Sequence, residues 1–313
     1  SRVAFEAMDL DILASGLQFP EGPVAMEDGS VILVEIARGT LTRVDSDGAV
    51  DVVAECGGGP NGAALGPDGA MYVCNNGGCF EWTDLGGLTI PGPLPRSWKG
   101  GSIQRVDLDS GEVMTLYAEC GGRQLRAPND LVFDRHGGFW FTDHGVRAER
   151  SSDRTGVFYA KADGSAIAEV IFPLDAPNGV GLSPDGDRVY VAETHTGRLW
   201  AWDVTGPGVA AADPAALNAG GELLCGLPGM QLFDSLAVDA AGNVCVGTLV
   251  NGGITVVAPD GSKHEHVALP DMLVTNLCFG GADLTTAYVT LSGTGQLGVG
   301  EWPGPGLAPA HTA

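Results

Sequence analysis

The hydrophobic positions of this chain fall in short runs separated by polar turns, and one order of runs recurs six times. Each unit opens on a polar turn, enters a small apolar strand, breaks at an Asp/Gly turn and continues into a strongly apolar strand. The opening turns are Pro20-Glu21-Gly22, Pro60-Asn61-Gly62, Pro128-Asn129-Asp130, Pro177-Asn178-Gly179, Phe233-Asp234-Ser235 and Thr275-Asn276-Leu277. The strongly apolar strands begin at Val31, Met71, Phe139, Val189, Val244 and Ala287, and third strands begin near Thr40, Ser102, Val157, Arg198, Ile254 and Gln296. Short runs bounded by Gly and Asp predict strands. Helical periodicity is nearly absent; the best helical candidate is the short segment at Asp213-Pro214.

Successive opening turns lie 40, 68, 49, 56 and 42 residues apart. A four-stranded propeller blade takes about 40–50 residues. The pattern therefore predicts an all-β, six-bladed β-propeller with four-stranded blades, one domain over residues 1–313, with insertions in the two long intervals. The sixth unit supplies three strands before a Pro/Gly-rich tail from Pro303 to Ala313, while the segment Val3 to Leu13 has no partner ahead of the first turn. The simplest closure makes that N-terminal segment the outer strand of the last blade, which removes an exposed sheet edge.

Composition agrees and narrows the partners. The 49 glycines suit many tight turns, and 44% hydrophobic residues rule out disorder. A net charge of −23 repels phosphate backbones and anionic headgroups, so neither nucleic acid nor membrane is expected, and a small neutral substrate is. No apolar run approaches the roughly 20 residues that span a bilayer. Residues Ser1 to Ser15 hold no basic region followed by an apolar stretch, so no leader is read there; because the chain begins at Ser, a removed leader stays open. The seven scattered cysteines read as small buried thiols in a reducing cytoplasm. A monomer or a small homo-oligomer is compatible with all of this.

Strands in a blade alternate in direction, so the turn before strand one shares a face with the loop between strands two and three. That places Glu21, Asn61, Asn129, Asn178, Asp234 and Asn276 around one mouth of the channel. One Pro-Asn-Gly alone is a turn, since Asn and Gly tolerate the backbone angles. Turn chemistry does not ask for Glu21 and Asp234 in the equivalent places. Carboxylate and amide oxygens without His or Cys form a hard site, which suits one divalent cation, Ca²⁺ or Mg²⁺ over Zn²⁺.

Glu21-Gly22-Pro23, Asn129-Asp130, Pro177-Asn178-Gly179, Asp234 and the stretch Val191 to His195 together resemble the gluconolactonase family that includes regucalcin (senescence marker protein). The squid-type diisopropylfluorophosphatase scaffold is related. The resemblance spans nearly the whole chain. It implies one metal, Ca²⁺ by preference with Mg²⁺, Mn²⁺, Zn²⁺ or Fe²⁺ open, held by Glu21, Asn129, Asn178 and Asp234. It also implies hydrolysis of a lactone or related ester, with Asp234 as the catalytic carboxylate and Asn129 touching both metal and substrate. In regucalcin an Arg two residues before the Asn129 position binds sugar hydroxyls; here Ala127 stands there, with Arg126 one residue further back.

Further substrate-binding candidates are Asn61, Asp130, Asn276, Arg126 and His195, together with Trp82 and Arg147. Trp82 lies in the Gly/Pro-rich stretch 77–101, which strand direction places over the mouth as a lid. Arg147 lies in a second loop, 145–155. His144 and His195 fall near the ends of second strands on the same face, while His264 and His266 read as surface residues. Nucleophile-elbow, zincin and P-loop motifs are missing, and the G-x-G-x-x-G at residues 57–62 runs into a strand where dinucleotide binding needs a helix. Three readings follow: a metal-dependent lactonase acting on a small, largely neutral lactone such as an aldonolactone; a hydrolase of another ester or phosphotriester on the same scaffold; or a non-catalytic binding propeller.

Overall fold

A computed structural model describes residues 8–312 other than 217, and among these there are strands, turns and loops but no helix. Six antiparallel sheets form the six blades of a propeller. Their first strands are Pro20–Ala25, Pro60–Leu65, Pro128–Phe133, Pro177–Leu182, Leu232–Val238 and Val274–Gly280, and each packs against the first strands of both neighbouring blades, closing the ring.

The hydrophobic gradient along each blade explains its orientation. The second strand of blade one, Val31–Glu35, is buried throughout because it faces a neighbouring blade on both sides. The outer strand Val50–Glu55 is mostly exposed. Six apolar clusters result, one between each pair of adjacent blades. Between blades two and three, Phe139 and Phe141 are fully buried beside Tyr72 and Phe133. Truncating such a ring to Ala costs about 3–5 kcal/mol.

Ring closure follows the expected scheme with shifted bounds. The closing strand is Asp11–Ser15, antiparallel to Gln296–Glu301 in blade six. Of the expected segment Val3 to Leu13, residues 3–7 lie outside the described residues, and the strand begins at Asp11 and extends two residues beyond Leu13. The long interval in blade two holds the hairpin Trp82–Asp84 with Thr89–Pro91 and a second small hairpin, Glu119–Cys120 with Arg123–Gln124. In blade four the outer edge is split between Val209–Ala211 and Glu222–Gly226. Asp213-Pro214 forms a turn between them, so the helical candidate is not realised.

Every first strand carries a register shift at its opening turn. A bulge frees the local residue from the ladder and re-aims its side chain; here it turns one polar residue per blade toward the axis. The glycines of the motif serve close approach. A Cβ on Gly62 would collide with the Asn129 carbonyl oxygen, and one on Gly179 would meet the Leu236 amide nitrogen at 2.7 Å. The opposite end of the channel is an apolar cavity of about 480 Å³, bordered by Leu65, Phe133, Leu182 and Phe279 and by the tail from Leu307 to His311.

Candidate metal centre and active site

The six opening-turn residues meet at one mouth. Glu21, Asn61, Asn129, Asn178 and Asn276 are buried and Asp234 is half-buried. Direct bonds tie the ring together across blades. Asn276 Nδ2 donates to Glu21 Oε2 at 2.8 Å, and Ser235 Oγ donates to Asn178 Oδ1 at 3.3 Å. Asn178 Nδ2 donates to Thr194 Oγ1 at 3.0 Å, which fixes its amide so that the oxygen faces blade five. Asp130 lies beneath the ring, its carboxylate accepting the Leu131 and Val180 backbone N–H groups at 2.9 and 3.2 Å.

Three carboxyls are thereby held together with little water. Burial pushes Glu21 up from 4.5 to about 7, partly offset by its hydrogen bonds to Asn276 and Gly22. Burial and the Glu21 charge raise Asp130 and Asp234 well above the usual carboxylate range. Two buried oxygens, Glu21 Oε1 and Asn129 Oδ1, have no hydrogen-bond partner among the described residues. An unmatched buried acceptor is costly, and two of them in a ring of oxygen donors fit a hard cation.

The other expected residues divide. His195 joins the mouth beside Thr194, its ring 5.4 Å from His144 in an edge-to-face pair, and its Nε2 is buried with no hydrogen-bond partner among the described residues. Burial, then the neighbouring His144 and Arg147 charges, pull His195 down to about 4, so its ring is neutral at neutral pH. Arg147 itself is half-exposed and pairs with Asp175 at 3.5 Å. Arg126 is committed elsewhere: its Nε donates to Asp153 at 2.7 Å, and its guanidinium lies 4.5 Å from the Trp98 ring centre. Trp82 packs on Phe19 at 4.9 Å, and the hairpin that carries it reaches across blade one, where Thr89 N–H donates to the Gly293 carbonyl of blade six at 2.8 Å. His264 is exposed, whereas His266 is half-buried, its ring nitrogens 3.3 Å from Thr255 Oγ1 and 3.2 Å from the Gly252 carbonyl, so the surface reading holds for His264 alone. The third carboxylate's electrostatic role carries no sequence signal, and the sequence puts His144 and His195 on one face without showing that their rings meet, because both depend on which strand ends become neighbours.

Fold and mouth together define a six-bladed propeller with an acid/amide ring around one end of its axis. The chain belongs to the SMP-30/Gluconolactonase/LRE-like family, whose model matches residues 19–293. It is 26% identical over 299 residues to the gluconolactonase of Zymomonas mobilis, covering 87% of this chain and 76% of that protein. It is 28% identical over 263 residues to lactonase drp35 of Staphylococcus saprophyticus, covering 83% and 72%. The calcium-binding protein regucalcin of Agrobacterium tumefaciens has the same fold at a TM-score of 0.74 and 16% identity, covering 97% of this chain and 98% of that one.

Proposed function

We propose that this protein is a divalent-cation-dependent lactonase, with Ca²⁺ the first choice, held by Glu21, Asn129, Asn178 and Asp234. The observation that carries the reading is the pair of unmatched buried oxygens, Glu21 Oε1 and Asn129 Oδ1, within a ring whose remaining donors are also oxygen. The names of the two lactonase relatives support the reaction, and the calcium-binding neighbour supports the ion. Bound there, a divalent cation supplies Lewis acidity that polarises a lactone carbonyl.

The chain's own groups do the rest. Asp234 is the carboxylate that takes the proton of the attacking water or attacks directly. Asn178 is fixed by Thr194 and by Ser235, whose hydroxyl donates to its oxygen, and presents that oxygen between blades four and five. Neutral His195 offers Nε2 to a substrate oxygen, and Asn61, Asn276 and Asp130 shape the floor. With a net charge of −23, the protein suits a neutral ring over an anion. An aldonolactone is the first substrate to test. The engagement of Arg126 with Asp153 and Trp98 favours a second reading, a less hydroxylated ester or phosphotriester, because that guanidinium is not free for sugar hydroxyls. The seven free thiols suit a reducing compartment, and we place the protein in the cytoplasm. No helix among the described residues is long and apolar enough to cross a membrane.

The test is turnover of a lactone panel by chelator-treated protein, with and without Ca²⁺, Mg²⁺, Mn²⁺, Zn²⁺ or Fe²⁺, beside Asp234→Ala. Cation-restored hydrolysis that the variant lacks supports the reading. Cation binding without lactone turnover moves the assignment to the other ester classes, and failure to bind any cation removes the site.

A further inference from the structure

Four blades open on Pro, and in each the residue directly across the ladder is a buried hydrogen-bond acceptor. Pro20 faces Glu35, Pro60 faces Asn75, Pro128 faces Asp143 and Pro177 faces Glu193. In the two blades without that Pro a threonine replaces the carboxylate or amide: Phe233 faces the buried Thr248, and Thr275 bonds the buried Thr290 through its hydroxyl at 2.8 Å. All four acceptors are at most 3% exposed.

The chemistry explains the pairing. Proline has no N–H to give to the ladder, so the strand opening is untethered at the residue before the ring. The facing side chain reaches past the proline and takes the N–H groups ahead of it. Glu35 accepts from Gln18 N–H at 2.6 Å, Asn75 from Gly59 N–H at 3.0 Å, and Glu193 from Asp175 N–H at 2.9 Å. Asp143 accepts from both Arg126 and Ala127 N–H at 2.6 and 2.7 Å, and from Gly145 N–H at 3.0 Å. The residue after each locked proline is Glu21, Asn61, Asn129 or Asn178.

We propose that Glu35, Asp143 and Glu193 are positioning residues for the cation site, each clamping the backbone from which one ligand projects. The inference rests on the cation reading above and adds a set of residues that touch neither ion nor substrate. Asn75 is the internal control, since the Asn61 that it places lies outside the four-ligand set.

Calcium titration calorimetry on the chelator-treated full chain tests this, with thermal unfolding alongside. Asp143→Asn puts an NH₂ group against a backbone N–H whichever way the amide turns, and Glu193→Gln sets one against either the Asp175 N–H or the Trp200 indole N–H. Outer-shell changes of this kind weaken metal binding by about 10–100-fold, and that loss is expected for both variants. Asn75→Ala should lower the unfolding midpoint yet leave the Ca²⁺ dissociation constant within about threefold of wild type. Unchanged affinity in the Asp143 and Glu193 variants, or an equal loss in Asn75→Ala, overturns the inference. If Asp143→Asn does not fold, Glu193→Gln and Glu35→Gln carry the same comparison. A wild type that binds none of Ca²⁺, Mg²⁺, Mn²⁺, Zn²⁺ or Fe²⁺ overturns the cation reading itself, an outcome seen before any variant is made.

Discussion

Removing the cation should make this protein sensitive to pH in a defined direction. Glu21 is raised from 4.5 to about 7, chiefly by burial. Its folded-state value lies above its unfolded one, so below about pH 4.5 both states are protonated and nothing is lost. Between pH 4.5 and 7 the unfolded chain ionises freely while the folded one resists, and stability falls. Once Glu21 ionises in both states the loss is complete, on the order of 3 kcal/mol at 1.36 kcal/mol per pKa unit. Asp130 and Asp234 are raised as well and add in the same direction. For a chain of this size 1 kcal/mol moves the midpoint by roughly 2 °C, so Glu21 alone accounts for about 6 °C. Thermal scans at pH 5, 6, 7 and 8 in chelator should show that decline, and saturating Ca²⁺ should flatten it by neutralising the ring. Glu21→Gln in chelator should decline less, since only Asp130 and Asp234 still titrate. A midpoint in chelator that is flat or rises from pH 5 to 7 would refute the dehydrated carboxylate ring.

Three further outcomes are expected. Gly62→Ala forces a methyl against the Asn129 carbonyl; overpacking of this kind costs about 1–3 kcal/mol, and denaturant unfolding should show the loss together with weakened Ca²⁺ binding. The His195 ring proton resonances should stay constant between pH 5 and 8, because its titration is pulled down to about 4; a midpoint near the ordinary 6.5 would contradict the buried, paired geometry. Trp82→Ala removes the hairpin's contact with Phe19, and kinetics on the lactone panel should show a raised KM for the substrates turned over, with cation affinity unchanged.

The blade count, the strand order and the six inward-facing residues were legible in the sequence. Strands report themselves locally: Val31–Glu35 is apolar throughout because it will be covered on both faces, and Pro-Asn-Gly marks the strand opening wherever it stands. The gathering of acid and amide side chains at one mouth was legible for the same reason, since Glu21 and Asp234 depart from a repeated turn. Other features depend on pairs brought together from distant parts of the chain. Asp130 reads as a substrate-binding candidate in a turn until Val180 donates to its carboxylate from the next blade, 50 positions away. Arg126 reads as a substrate-facing cation until Asp153 and Trp98 take it up. The clamp of Pro128 by Asp143 is written in both residues, yet it emerges only when the ladder register sets them opposite each other. Local pattern determined which residues turn inward, because strand periodicity and turn chemistry act over a few residues. Tertiary structure decided which of them share a hydrogen bond or a buried electrostatic environment, because those couplings act through space and register.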